Sequence, residues 1–138
     1  MELPINLTLE LVTPDRAVVR VEVSEVQLPG SEGYLGVLPG HTPFLTTLAV
    51  GELWFLQGGE KHYVSVAHGF AEVLPDRVTV LAQIAERAED VDVERAQKSQ
   101  RRAEDRMSKG AVDTDIERAR ISLSKALVRL QVASTIST

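Results

Sequence analysis

Three histidines, His41, His62 and His68, are the side chains best suited to hold a metal, and His62 and His68 share strand parity with Glu60 and Glu72. No H-x-x-x-H or H-x-H spacing accompanies them. His68 precedes Gly69 at an expected bend and His41 follows a turn, so these are read as turn and surface histidines and no metal site is expected. The chain contains no G-x-S-x-G and no G-x-x-x-x-G-K-[ST], and no glycine-rich loop joins a strand to a helix, so nucleophilic catalysis and P-loop hydrolysis have no support. The remaining concentration of chemistry is cationic: Arg95, Arg101, Arg102 and Arg106, then Arg118, Arg120, Lys125 and Arg129. Interleaved Glu94, Glu104, Asp105 and Glu117 cancel most of that field, and no aromatic residue for base stacking follows Phe70, which argues against nucleic acid. Guanidinium groups also suit an acidic protein surface or a triphosphate, through planar paired hydrogen bonds.

The elements that must position these groups divide sharply. From Ile5 to Leu11 apolar residues alternate with Asn6, Thr8 and Glu10, the period of two of a strand with one buried face. Thr13-Pro14-Asp15 turns the chain, Val19, Val21 and Val23 alternate again, and Pro29 is expected to end regular pairing because it lacks an N–H donor. The stretch Gly33-Tyr34-Leu35-Gly36-Val37-Leu38-Pro39-Gly40-His41 reads as one buried strand closed by a type II turn. Phe44 to Val50 is expected as a strand broken at Gly51. Leu53–Leu56 and Tyr63–Val66 form a hairpin around Gly58-Gly59, and Phe70–Leu74 and Val78–Leu81 form another around Pro75-Asp76. Short strands at a spacing of about ten residues, with Gly and Pro between them, favour an antiparallel sandwich or small barrel.

Past Ala82 glycine and proline nearly vanish, and Ala, Arg, Glu and Gln dominate. Asp92 is placed to cap a helix whose stripe is Val93, Ala96, Gln100, Ala103 and Met107, with Gly110 as its stop. A second helix opens on the capping box Thr114-Asp115-Ile116-Glu117 and carries Ile116, Ala119, Leu123, Ala126, Leu130 and Ala133. The fold class is α+β: an N-terminal antiparallel β-sandwich, residues 1–86, followed by a C-terminal antiparallel two-helix hairpin, residues 87–138. Burial contributes about 0.8 kcal/mol per CH₂, so an alanine-lined stripe holds the hairpin weakly, as a two-state regulatory arm requires.

Charge follows the same division. Up to Ala85 there are 10 acidic and 4 basic residues, giving −6, and from Glu86 onward 10 acidic and 11 basic, giving +1. The first part repels anionic lipid and nucleic acid, so membrane association is expected only through a protein partner. The lack of cysteine rules out disulfides and thiolate metal sites. No apolar run approaches the ~18 residues of a membrane span, which leads to the expectation of a soluble chain.

The stretch Gly33 to His41 resembles the G-x-L-G-[IV]-L-P-G-H segment of the epsilon subunit of F-type ATP synthases. Gly69-Phe70-Ala71-Glu72-Val73, Ala85-Glu86-Arg87-Ala88-Glu89-Asp90 and Val91-Asp92-Val93-Glu94-Arg95-Ala96 are similar to further motifs of that family, so the resemblance spans nearly the whole chain. It implies a non-catalytic central-stalk subunit whose sandwich joins the gamma subunit to the c-ring and whose mobile hairpin, when extended, inhibits ATP hydrolysis. It also implies a peripheral position on the cytoplasmic face of the bacterial inner membrane, with membrane contact only through the c-ring.

Carried over by residue, the resemblance implies that Ser31, Glu32, Gly33, Tyr34 and His41 face the rotor, and that Arg118, Lys125 and Arg129 meet the beta subunit in the extended state. It requires no cofactor but implies ATP as a regulatory ligand of the folded hairpin, at Glu86, Val91, Asp92, Arg95, Ala96, Arg102, Lys125 and Arg129. Three positions depart from the family pattern. Val91 replaces a larger aliphatic residue, Lys125 stands in place of arginine and loses the guanidinium fork, and His68 takes the place of the first glycine in a Gly-Gly-Phe segment. Asp92 also has a purely structural role open to it, as a helix cap. The alternative from another class is a free-standing small-ligand-binding β-sandwich with a coiled-coil tail.

Overall fold

A computed structural model describes residues 5–109 and 113–136. Seven strands come first: β1 Leu7–Val12, β2 Ala17–Val23, β3 Glu25–Gly30, β4 Gly33–Val37, β5 Phe44–Gln57, β6 Glu60–Leu74 and β7 Arg77–Arg87. A single 3₁₀ turn at Ala88–Asp90 leads to helices α1, Val93–Ser108, and α2, Asp113–Ser134. The strands lie in the order β2-β1-β7-β6-β5-β3-β4. Pairing is antiparallel except between β1 and β7, which run parallel with Leu9 opposite Val78. Sequence alternation alone cannot reveal that exception, because both orientations bury every second residue.

The sheet folds over on itself along one crease, and the burial pattern shows where. On β6 the buried positions Val64 and Val66 are even-numbered, whereas Ala71 and Val73 beyond His68 are odd-numbered. The same change of phase occurs on β5 between Leu48 and Leu53 and on β7 between Ala82 and Ala85. The β5–β6 and β6–β7 registers nevertheless run through unshifted, so all three strands turn over at one level. His68, with φ 62°, and Gly69, with φ 121°, make the reversal on β6. Both lie on the left-handed side of the backbone map, where an L side chain is disfavoured and glycine is not. Leu7, Leu9, Leu11, Val26, Leu28, Leu53, Phe55 and Val80 are wholly buried between the facing halves.

This crease corrects the reading of three short strands. Gly51 does not end a strand, since β5 runs through it, and its missing side chain serves a close approach instead. A Cβ there would stand 2.7 Å from Pro29 Cβ and 3.0 Å from the Tyr34 hydroxyl. Pro29 likewise lies within β3, opposite Tyr34, and its missing donor is tolerated because the β3–β5 register shifts between Gln27 and Gly30. The expected bend at His68 and Gly69 is a reversal of the pleat inside one continuous strand.

The hairpin has a clear order. α2 lies on β5 and β6 and beside the 3₁₀ turn, and α1 packs on α2. Ala96, Ala103, Ala119, Ala126, Val132 and Ala133 are its buried apolar residues, so among the described residues small side chains make the seam. Val93, expected in the stripe, is instead 43% exposed, while Ala96 three residues on is buried. Gly110 lies outside the described residues, and α2 begins at Asp113, so Thr114, expected to open the helix, stands within it.

Candidate functional site

The outward-facing small residues of β6, Ser65 and Ala67, are buried because α2 crosses over them. Small side chains there leave room, and a cleft of ≈ 590 Å³ remains between sheet and helices. The sheet side supplies Val50, Ser65, Ala67, Ile84 and Glu86, and the β1–β2 turn supplies Asp15. The helices supply Arg95 and Ser99 from α1 and Ser122, Lys125, Ala126 and Arg129 from α2.

One ion pair spans the cleft. Arg129 Nε donates to Glu86 Oε1 at 2.5 Å and Nη2 donates to Oε2 at 3.2 Å, with side-chain exposures of 18% and 23%. Partial burial with two parallel hydrogen bonds makes this pair stronger than the exposed pairs along the helix faces. It ties α2 to the end of β7.

Four of the eight residues expected to meet ATP, Glu86, Arg95, Lys125 and Arg129, therefore line one cleft. Arg102 lies beyond it, lining a hollow of ≈ 230 Å³ between the helices with Ser99, Ala103, Arg106 and Ser122. The other three serve the frame. The Asp92 side chain accepts from Arg95 N at 3.0 Å as the cap of α1, Val91 closes the 3₁₀ turn, and Ala96 is buried in the helix seam. Asp15, Val50, Ser65, Ala67, Ile84, Ser99, Ser122 and Ala126 were not anticipated as lining. Paired small residues on the outer row of β6 are the signal that could have found the sheet side.

The residues expected to face the rotor lie elsewhere on the sandwich. Ser31 N donates to Thr47 O at 2.9 Å, its hydroxyl meets that of Thr47, and Glu32 is exposed beside it at the β3–β4 turn. Gly33 has φ 131°, and Tyr34, 58% exposed, lays its hydroxyl over Gly51, where Glu52 N donates to it at 3.4 Å. His41 is held separately, through a 2.6 Å bond to Thr42 O, next to a loop whose Gly40 N donates to Pro75 O at 2.7 Å. Of the residues expected to meet the beta subunit, Arg118 is exposed, whereas Lys125 and Arg129 face the cleft.

Beyond the crease the outer face of the sheet is bare among the described residues. Phe70 stands opposite Leu81 across β6 and β7, and Leu45 stands on the same face opposite Glu72. All three apolar side chains are more than two-fifths exposed. Among the described residues no group of three His, Asp or Glu side chains is arranged to hold a metal, and no helix is long and apolar enough to cross a membrane.

Comparison with known proteins assigns both halves of the chain. Residues 6–88 match the family described as ATP synthase, Delta/Epsilon chain, beta-sandwich domain, and residues 89–134 match the ATP synthase, Delta/Epsilon chain, long alpha-helix domain. The ATP synthase epsilon chain of Nitratidesulfovibrio vulgaris (strain DP4) is 49% identical over 127 residues, covering 92% of this chain and 95% of that one. That of Desulforapulum autotrophicum is 48% identical over 131 residues, covering 94% and 97%. In structure, a chain of the Euglena gracilis mitochondrial ATP synthase, solved as OSCP/F1/c-ring in rotational state 1, superposes with a TM-score of 0.82 at 26% identity. The match covers 96% of this chain and 84% of that chain.

Proposed function

This chain belongs to the epsilon family of ATP synthase subunits, and from that premise we propose that it joins gamma to the c-ring in the central stalk and restrains ATP hydrolysis through a hairpin held folded by ATP. The subunit itself is non-catalytic in this reading. The cleft where Glu86, Arg95, Lys125 and Arg129 converge is the observation that carries it. A nucleoside triphosphate fits the donor set: cations and hydroxyls on the helix side for phosphates, and Val50, Ala67 and Ile84 for the face of a base.

The regulatory consequence follows from where those groups sit. Arg95 belongs to α1, Lys125 and Arg129 to α2, and Glu86 to the sheet. A ligand touching all three exists only on the folded form, and it stabilises that form by RT ln(1 + [L]/Kd), about 2.7 kcal/mol at a hundredfold excess over Kd. When ATP falls, that increment is lost and an alanine-lined seam with one cross-cleft ion pair remains. Released helices would then expose Lys125 and Arg129 beside Arg118, a basic row suited to an acidic surface of the beta subunit.

The bare row of Leu45, Phe70 and Leu81 supports the stalk half of the reading, since an apolar strip of this kind suits a surface covered in an assembly. Membrane contact would run through the c-ring, at the cytoplasmic face of a bacterial inner membrane. A free-standing ligand-binding sandwich draws no support from the cleft, because the helices form half of its wall.

Two measurements test the proposal. Calorimetric titration of the chain with ATP, paired with hydrogen exchange, should show heat of binding and slower exchange in α1 and α2. Addition to a gamma-containing catalytic head should slow ATP hydrolysis, more strongly at low ATP. Lack of any effect on the head would dispose of the stalk role, and lack of ATP binding would dispose of the switch alone.

A further inference from the structure

The two helices face each other through matching rows of small residues, and both rows are interrupted at the same point. On α1 the row is Ala96, Ser99, Ala103, and on α2 it is Ala119, Ser122, Ala126, each spaced by three and then four residues. The four alanines are 0–1% exposed, so alanine packs this seam fully and a fifth and sixth would pack it as well. Serine forms helix less readily than alanine, by up to about 0.5 kcal/mol, so the hydroxyls stand there against local preference.

Their position suggests why. Ser99 and Ser122 line the large cleft and also the ≈ 230 Å³ hollow between the helices, and they are the residues common to both. The two spaces differ in charge. The sheet side of the large cleft carries the carboxylates of Asp15 and Glu86, which repel phosphate, whereas the described residues that line the inner hollow, Ser99, Arg102, Ala103, Arg106 and Ser122, include no acid. Ser99 Oγ accepts from Arg102 Nη2 at 3.5 Å, at the limit of a hydrogen bond, so its hydroxyl hydrogen remains free to turn toward an anion.

We infer that Ser99 and Ser122 are phosphate-binding residues, lying where a nucleoside triphosphate passes from the cleft into the space between the helices. The inference rests on the nucleotide reading above. The base and ribose stay against the sheet, and the phosphate chain runs inward past the two hydroxyls toward Arg102. The site thereby measures the length of the phosphate chain: a monophosphate ends short of the serine pair, and a triphosphate reaches it.

The test is calorimetric titration of the full chain with ATP and with AMP, for the native sequence and for Ser99→Ala, Ser122→Ala and the double variant, with Ser99→Thr as the hydroxyl-retaining control. Alanine favours both helix and seam, so folding should be kept, and circular dichroism checks it. The expected result is about a tenfold loss of ATP affinity for each alanine variant, unchanged weak AMP binding, and near-native ATP affinity for Ser99→Thr. ATP binding by the native chain that stays within twofold in the alanine variants overturns the serine assignment and leaves the nucleotide site standing. An equal loss for ATP and AMP also overturns it, by showing that the serines only shape the cleft. Absence of ATP binding by the native chain overturns both.

Discussion

His68 carries an unusual backbone burden. Its φ of 62° places an L residue in the left-handed region, next to Gly69 at 121°, where the sheet turns over. An L residue there costs about 1–2 kcal/mol, and glycine's greater unfolded-state freedom offsets part of the gain from removing it. His68→Gly should therefore stabilise the chain by about 0.5–1 kcal/mol, read as a higher urea midpoint at unchanged slope. Gly69→Ala should act in the opposite direction and more strongly. A Cβ at Gly69 would collide with the Leu81 carbonyl oxygen and stand 2.8 Å from Ala82 Cα, both backbone atoms that cannot step aside. A loss of about 2–4 kcal/mol in denaturant unfolding is expected. The two neighbours together separate conformational strain from steric collision at one crease.

At the scale of the elements, docking of the hairpin depends on two polar devices. Asp92 caps α1 through Arg95 N, so Asp92→Ala should cost about 1 kcal/mol and quicken hydrogen exchange in the first turn of that helix. Asp92→Asn separates the two roles assigned to this residue. Asparagine caps as well as aspartate, so a variant with native exchange and native ATP affinity identifies a cap, and one with native exchange but lost affinity identifies a ligand. The Glu86–Arg129 pair is the second device. Glu86→Ala leaves a partly buried guanidinium without its carboxylate and should lower hairpin protection by about 1–3 kcal/mol while the sandwich keeps its own. Exchange measured separately over α2 and over β1–β7 gives the answer.

For the molecule as a whole, the outer face of the folded sheet has two unlike halves. On one side of the crease α2 covers Ser65 and Ala67, and on the other Leu45, Phe70 and Leu81 stand bare. A charged residue at Phe70 should leave the melting temperature of the free subunit nearly unchanged, because that side chain is 48% exposed. The same Phe70→Asp change should weaken co-purification with a gamma-containing head by tenfold or more, if the bare strip is the stalk contact. Equal recovery of the variant and the native subunit in the assembled complex would locate that contact elsewhere.

The linear order of residues was sufficient for the strand-rich first part, the alanine-lined helices, the Asp92 cap and the family motifs, because each depends on periodicity or on partners a few positions apart. It anticipated four of the residues that meet in the cleft through family resemblance, without anticipating their meeting. The parallel pairing of β1 with β7, the passage of β5 through Gly51 and the turnover at His68 came only with the tertiary structure, since they depend on which strands become neighbours after the sheet folds. The same holds for Asp15 and Ser65, which line the cleft from positions distant along the chain, and for Ser99 and Ser122, which line it together from two helices. Local chemistry chooses the elements. The cleft exists because packing brings a turn, an outer strand face and two helices to one place, and no spacing along the chain encodes that distance.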